Sequence, residues 1–535
     1  MSRRSSRGEI ISLALREGER GDIICSVFLL ALLAACSSDD PKFELSTIKV
    51  EGRRIDSVLY DINGDGRIDL VNTGIDYDAK PGPEVRWIAL HYRGKDNRLP
   101  GMPSQLFPLD DRAVALVFGD LLPGGGIEIG FLATDGVYVY PPANGGLAET
   151  ASKLLHVRTF FTTVSLRALP IWGFAVDLDA NGKHDLVVPT HQGYRVYFQT
   201  EPGKFGRSVD LEGDLPNRGD RVLGVERFAS KPENFAGHFI GGRQLPHLGF
   251  ADINGDGRPD VYALRKDVMT YLFQKAGTYT SHPRARAREQ YPIPTLRADP
   301  KKDSVDVSMI LFLDLDRNGI ADLIVTRVTG QLGLLESLET RVYLHMGTGR
   351  GNFTSKKCIK VAGVSIDPGF LDMNQDGALD CVVSRLRTDL LSQGGQLVLF
   401  GDIPITYEVF QFDKTDEGFL VDPVFERKVM VNKDDLQKKG AATVPLLFIS
   451  GDFSGDGRPD ILFLDPSTEE VQLMRGRVHR SGGRETIGFE PSPFFRKKVP
   501  EGHPKGVWIG DMNGDGIADA MFYHAGKLAI MESRR

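Results

Sequence analysis

One nonapeptide recurs along this chain and limits what the chain can fold into. Its fullest form is Asp252-Ile253-Asn254-Gly255-Asp256-Gly257-Arg258-Pro259-Asp260. Side-chain oxygens stand at positions 1, 3, 5 and 9, and a glycine at position 6. Oxygens at alternate positions converge on one point while the glycine lets the backbone turn, which is how short loops hold hard cations such as calcium. Seven near-complete copies begin at Asp61, Asp177, Asp252, Asp314, Asp372, Asp452 and Asp511. Apolar runs flank them, as with Val58-Leu59-Tyr60 before the first and Leu70-Val71 after it. The unit is therefore strand, acidic loop, strand.

The side-chain ligands expected in the first three loops are Asp61, Asn63, Asp65 and Asp69, then Asp177, Asp179, Asn181 and Asp185, then Asp252, Asn254, Asp256 and Asp260. In the next two they are Asp314, Asp316, Asn318 and Asp322, then Asp372, Asn374, Asp376 and Asp380. The last two have Asp452, Ser454, Asp456 and Asp460, then Asp511, Asn513, Asp515 and Asp519. A degenerate copy begins at Asp120 and keeps an acid, Glu128, at position 9, but Leu122 and Gly124 replace the ligands at positions 3 and 5. It is expected to keep the fold and to have lost the metal. With it, the units start about 60 residues apart, the pattern of a propeller or solenoid.

Further strand-forming runs follow the loops: Gly136–Tyr140, Gly193–Phe198, Arg341–Leu344 and Gln396–Phe400. Each unit thus supplies about four short strands, enough for one blade. Unbroken apolar runs such as Leu323-Ile324-Val325 point to strands buried on both faces. The fold class is all-β: a single β-propeller over residues 42–535, read with eight blades of about four antiparallel strands, seven also fitting. The final unit, ending after Lys527–Met531, lacks a strand that Phe43–Val50 could supply, hiding both edges. Extra length at 199–247 and 401–446 is expected as insertions within blades. Arg284, Arg286 and Arg288 read as a solvated loop, with a phosphate contact as the alternative. A binding loop around His238, Gly241, Gly242 and His247 is the minor alternative to a structural one.

Bulk composition agrees. Gly makes up 60 of 535 residues, as many turns require, and a net charge of −7 argues against a nucleic-acid binder with a strongly basic surface. Of the four cysteines, Cys358 and Cys381 either pair in an oxidising compartment or stand as two buried small hydrophobes. No CxxC, GxSxG, HExxH or P-loop occurs, and the 11 histidines are scattered. His184, at a filler position of its loop, is given no catalytic role.

At the N-terminus, basic residues precede an apolar run, Ile23–Ala35, too short to span a bilayer. It reads as a signal peptide over residues 1–35. Its exit, Leu33-Ala34-Ala35-Cys36, resembles the lipobox of bacterial lipoproteins. That resemblance implies cleavage before Cys36, acylation of Cys36, and residues 36–41 as anchor and short linker. Ser37 and Ser38, in place of an Asp retention signal, imply an outer-membrane lipoprotein facing the periplasm or the surface.

The repeat resembles the FG-GAP or VCBS repeat of integrin alpha-chain propellers and many bacterial surface proteins, over nearly all of residues 41–535. The resemblance implies up to seven calcium ions, bound between the first two strands of each blade. It adds the position-7 carbonyls of Arg67, Lys183, Arg258, Ile320, Ala378, Arg458 and Ile517 as ligands. No Glu recurs at position 12 and strands flank the loops, so structural calcium is expected rather than an EF-hand switch. The alternative is Asx-rich turns without metal. The leading functional reading is a non-enzymatic, calcium-stabilised propeller on the cell envelope that binds a protein or glycan. The alternative is a carbohydrate-active enzyme such as a polysaccharide lyase, which a groove with paired carboxylates and Lys or Arg would favour.

Overall fold

The computed structural model describes residues 40–535 apart from 51–52, 77–84, 144, 162–168, 192, 212–246, 266–267, 273–287, 293–304, 332–333, 350, 366–367, 387–402, 432–445, 466–467, 482–483, 500–503, 505, 525 and 535. The signal segment and Cys36, Gln396–Phe400, Arg284, Arg286, His238 and the Gly241-Gly242 pair lie outside the described residues.

The acidic loops set the plan. Each connects the first two strands of a small antiparallel sheet, and among the described residues eight such sheets follow one another. The first has Arg53–Tyr60, Asp69–Asp76, Val85–His91 and Gln105–Pro108 in spatial order. The second has Ala115–Gly119, Glu128–Ala133, Gly136–Val139 and Ser152–His156; the third has Ala175–Val176, Asp185–Thr190, Gly193–Glu201 and Lys204–Leu211. The fourth begins at His247–Ala251 and ends at Arg288–Pro292. The fifth, built on Val305–Leu313, Asp322–Gln331 and Leu334–Gly347, carries two short outer pieces, Phe353–Ser355 and Ile359–Ala362. The sixth runs from Gly369–Leu371 to Phe425–Val431 and the seventh from Leu446–Ile449 to Phe495–Lys498. The eighth has Gly506–Gly510, Asp519–His524 and Lys527–Arg534.

The fourth strand of the eighth sheet comes from the other end of the chain. Lys42–Lys49 pairs antiparallel along its whole length with Lys527–Arg534, from Lys42 opposite Arg534 to Lys49 opposite Lys527. It buries Phe43 and Ile48. This is the strand expected from Phe43–Val50.

Burial explains why the second strands lack alternation. Every residue of Glu128–Ala133 and of Asp185–Thr190 is buried, so both faces pack against a neighbour. Apolar clusters join successive sheets. Ile88, Leu90 and Phe107 of the first meet Leu116, Ile129 and Phe131 of the second. Leu315, Ile324 and Leu344 of the fifth meet Cys381, Val383 and Phe410 of the sixth. Comparable clusters link second to third, third to fourth, fourth to fifth, sixth to seventh and seventh to eighth. One more packs Met521, Leu528 and Ile530 of the eighth against Leu70, Trp87 and Ala89 of the first. The propeller-like arrangement of about four strands per sheet follows from this plan.

Two sequence expectations need correction. Much of 401–446 is not an insertion: Ile403–Phe410 and Phe425–Val431 are the third and fourth strands of the sixth sheet, with the hairpin Phe412–Asp413/Gly418–Phe419 between them. Pro404 and Glu408 interrupt the apolar run and hid the strand. Likewise 199–211 belongs to the last two strands of the third sheet. Cys358 is half-buried, Cys381 is buried, and both are free thiols.

Candidate metal centres in the acidic loops

Local hydrogen bonding explains why this sequence makes this loop. In the first copy the Asp61 carboxylate accepts from the N–H groups of Gly64 at 2.8 Å, Asp65 at 3.1 Å and Gly66 at 2.8 Å. The position-6 N–H donates to the position-1 carboxylate in every one of the seven copies, through Gly66, Gly182, Gly257, Gly319, Gly377, Gly457 and Gly516. Those glycines have φ between 79° and 90°, the left-handed region where a side chain is strained. The residues expected to lend carbonyls, Arg67, Lys183, Arg258, Ile320, Ala378, Arg458 and Ile517, each donate their N–H to the position-5 side chain. One turn is thus built seven times.

Position 9 has a second task that spacing alone does not reveal. Asp185 accepts from Leu178 N–H in its own loop and from Gln199 N–H on the third strand, both at 2.9 Å. Equivalent bridges, to donors on the third strand or just beyond its end, join Asp69 to Ile62 and Arg93, Asp322 to Leu315 and Gly347, Asp380 to Met373 and Phe412, Asp460 to Ser454 and Gly476, and Asp519 to Met512 and Ser533. Asp260 accepts from Ile253 N–H at 3.0 Å. All seven position-9 side chains are buried. Burial disfavours the charged form and raises these acids to about 7 at Asp185, Asp322, Asp380 and Asp519, and to about 6 at Asp69 and Asp460.

The degenerate copy keeps the buried position-9 acid and its bonds within the loop. Glu128 accepts from Leu121 N–H at 2.7 Å and Leu122 N–H at 3.2 Å. Asp120 is held from the next sheet instead: its N–H donates to Nδ1 of His184 at 2.9 Å, and its carbonyl accepts from Nε2 of Gln199 at 2.8 Å. The acceptor role assigns the neutral tautomer with the proton on Nε2 to His184. His184 is thus an inter-loop tie, and its contact with a loop in another repeat left no signal in the sequence.

Carboxylates converge in two copies. The oxygens of Asp177, Asp179 and Asp185 lie within 4.8 Å of one another, as do those of Asp314, Asp316 and Asp322. Both sets could hold a metal ion. These are the two loops with Asp rather than Asn or Ser at position 3. In four of the other five copies the position-5 carboxylate turns to another partner. Asp65 pairs with Arg67, Asp456 lies 3.6 Å from Arg458, Asp376 lies 3.5 Å from Lys414, and Asp515 accepts from the Ser533 hydroxyl at 2.6 Å. The donor set of hard oxygens, mutually repelling and partly buried, fits calcium chemically. Held there, the ion would supply positive charge to ionised carboxylates that the core otherwise disfavours.

A separate cavity of about 590 Å³ opens between the fifth and sixth sheets, lined by Lys356, Lys357, Asp413 and Asp416 beside Phe419 and Val421. It combines carboxylates with ammonium groups, although Lys356 already pairs with Glu417 at 2.8 Å.

No protein-family model and no curated protein matches the chain. Among solved structures, it is similar to an Agrocybe aegerita lectin studied for recognition of non-reducing terminal N-acetylglucosamine, with 14% identity, a TM-score of 0.39, and 83% of this chain and 92% of the lectin covered. It is also similar to Kluyveromyces lactis Hsv2, at 10% identity, a TM-score of 0.31, and 83% and 100% covered. A third likeness is to BBS1N from its complex with ARL6DN, at 10% identity, a TM-score of 0.30, and 93% and 97% covered. Superpositions this loose, at identities this low, carry no information on ligand or activity.

Proposed function

We propose that this chain is a calcium-stabilised, eight-bladed β-propeller of FG-GAP/VCBS-type repeats that binds a protein or glycan and is not an enzyme. The observation that carries the reading is the sevenfold recurrence of one oxygen-rich turn at the same place in successive sheets, with carboxylates converged in two copies. Ring closure is supported by the Lys42–Lys49 pairing and by the cluster that packs the eighth sheet on the first. The ions have a structural task in this reading, since the position-9 acids tie loop to third strand. Up to seven ions are proposed, with the loops of Asp177 and Asp314 the tightest. Attachment to the bacterial outer membrane through acylated Cys36 is part of the proposal. Mass spectrometry of the membrane-extracted protein should find the acylated Cys36 peptide, and an unmodified peptide would remove the anchor.

Binding is tested by a glycan and protein array with the calcium-loaded protein, scored for retention and for cleaved product. Retention without product supports the reading; turnover would overthrow it. The enzymatic alternative has one observation in its favour, the cavity lined by Lys356, Lys357, Asp413 and Asp416. If it is an active site, turnover appears and Asp416→Asn reduces it at least about a hundredfold.

A further inference from the structure

A second cavity, of about 660 Å³, lies at the opposite ends of the strands from the acidic loops. Its walls are the turn Thr134-Asp135 of the second sheet, the end of that sheet's last strand with His156 and Arg158, Phe161, and His191 in a turn of the third sheet. The size is that of a small-ligand site.

Backbone contacts fix the walls. Thr159 N–H donates to the Thr134 carbonyl at 3.1 Å and the Thr159 hydroxyl to the Ala133 carbonyl at 2.7 Å. Phe160 N–H donates to the Pro189 carbonyl at 2.8 Å. Residues 159 and 160 are therefore tied to both sheets, and Arg158 and Phe161 flank this braced pair.

The charge balance is cationic. Asp135 is already engaged, accepting from Lys153 Nζ at 2.5 Å and from the Tyr138 hydroxyl at 3.0 Å. Arg158 is exposed and has no ion pair among the described residues. Phe161 meets Trp172 edge to face at 6.3 Å, an arrangement that holds its ring in place. The cavity thus offers the Arg158 guanidinium, the His156 imidazole, the Phe161 ring and the Thr134 hydroxyl.

We propose that this cavity binds a carboxylate-bearing pyranose, the uronate unit of an acidic polysaccharide. The sugar carboxylate meets Arg158, whose planar fork matches it in two parallel hydrogen bonds. The C–H face of the ring lies on Phe161, and the ring hydroxyls find both donors and acceptors in the remaining groups. A neutral sugar would leave Arg158 without its counter-charge, and a bare phosphate would leave Phe161 unused. The inference rests on the binding reading above and gives it a site and a ligand class.

The test uses the full chain in calcium, titrated calorimetrically with tetragalacturonate, with a neutral galactose tetrasaccharide and with inorganic phosphate. The uronate should bind at least tenfold tighter than either of the others. Arg158→Met should weaken it at least tenfold, and Phe161→Ala severalfold, with the thermal midpoint of Arg158→Met unchanged because the side chain is exposed. Equal affinity for charged and neutral sugars, equal affinity for phosphate, or no effect of Arg158→Met overturns the proposal. If the uronate fails while another glycan or a protein binds, the site assignment falls and the binding reading stands. If the array finds no ligand at all, both fall.

Discussion

Replacing Asp322 by Asn separates the two tasks of position 9. The carboxylate accepts from Leu315 N–H at 2.9 Å and Gly347 N–H at 2.8 Å, and its side chain is fully buried. An amide keeps one acceptor and turns an N–H₂ toward the other donor, leaving a buried N–H unsatisfied at a cost of about 1–3 kcal/mol. Against this stands the burial of charge. An acid raised from the ordinary 3.8 to about 7 has lost about 4 kcal/mol of stability once fully ionised. The folded state binds a proton that the unfolded state has released between pH 4 and pH 7, so wild-type stability falls as pH rises through that window. The variant lacks that slope. In chelator, Asp322→Asn should therefore be less stable than wild type near pH 4.5, and the deficit should vanish or reverse by pH 8. With calcium it should be less stable at pH 8, because a ligand charge is gone. Urea unfolding midpoints at several pH values, with chelator and with calcium, measure both. A constant offset between the two proteins at every pH in chelator would mean that Asp322 does not ionise differently in the folded and unfolded states.

Three other substitutions probe the frame. Arg93→Met leaves the buried Glu532, now 2.7 Å from the Arg93 guanidinium, without that partner; the expected loss between first and eighth sheets is about 3–5 kcal/mol by denaturant unfolding. Arg317 sits at φ 56° in its loop, so Arg317→Gly should relieve strain and raise stability by about 1 kcal/mol, read as a higher midpoint in chelator. Glu128→Ala frees the N–H groups of Leu121 and Leu122, with an expected loss of about 2–5 kcal/mol that is the same with and without calcium.

Much of this architecture is legible in the chain because the information is local and repeated. The acidic loops, the strands beside them and the place of Phe43–Val50 in the last sheet can be read from residue type and spacing. The third strand of the sixth sheet could not, since Pro404 and Glu408 break its apolar run while tertiary packing restores the strand. The bridging role of position 9 was hidden for another reason: its partners, such as Gln199 and Gly347, lie beyond the loop in sequence. The tie from His184 to Asp120 joins two repeats and leaves no pattern at any fixed spacing. The uneven convergence of carboxylates follows from position 3 and from neighbours such as Lys414, and only the second of these needs the fold.

Six position-9 acids are raised to about 6 or 7 by burial. Ionised without compensation, each of these buried carboxylates opposes folding. Thermal unfolding at pH 7.5, with millimolar calcium and with excess chelator, tests whether cations supply the compensation. If they do, the midpoint is lower in chelator by at least about 10 °C and is restored by added calcium. Identical midpoints in the two buffers would contradict a structural role for calcium.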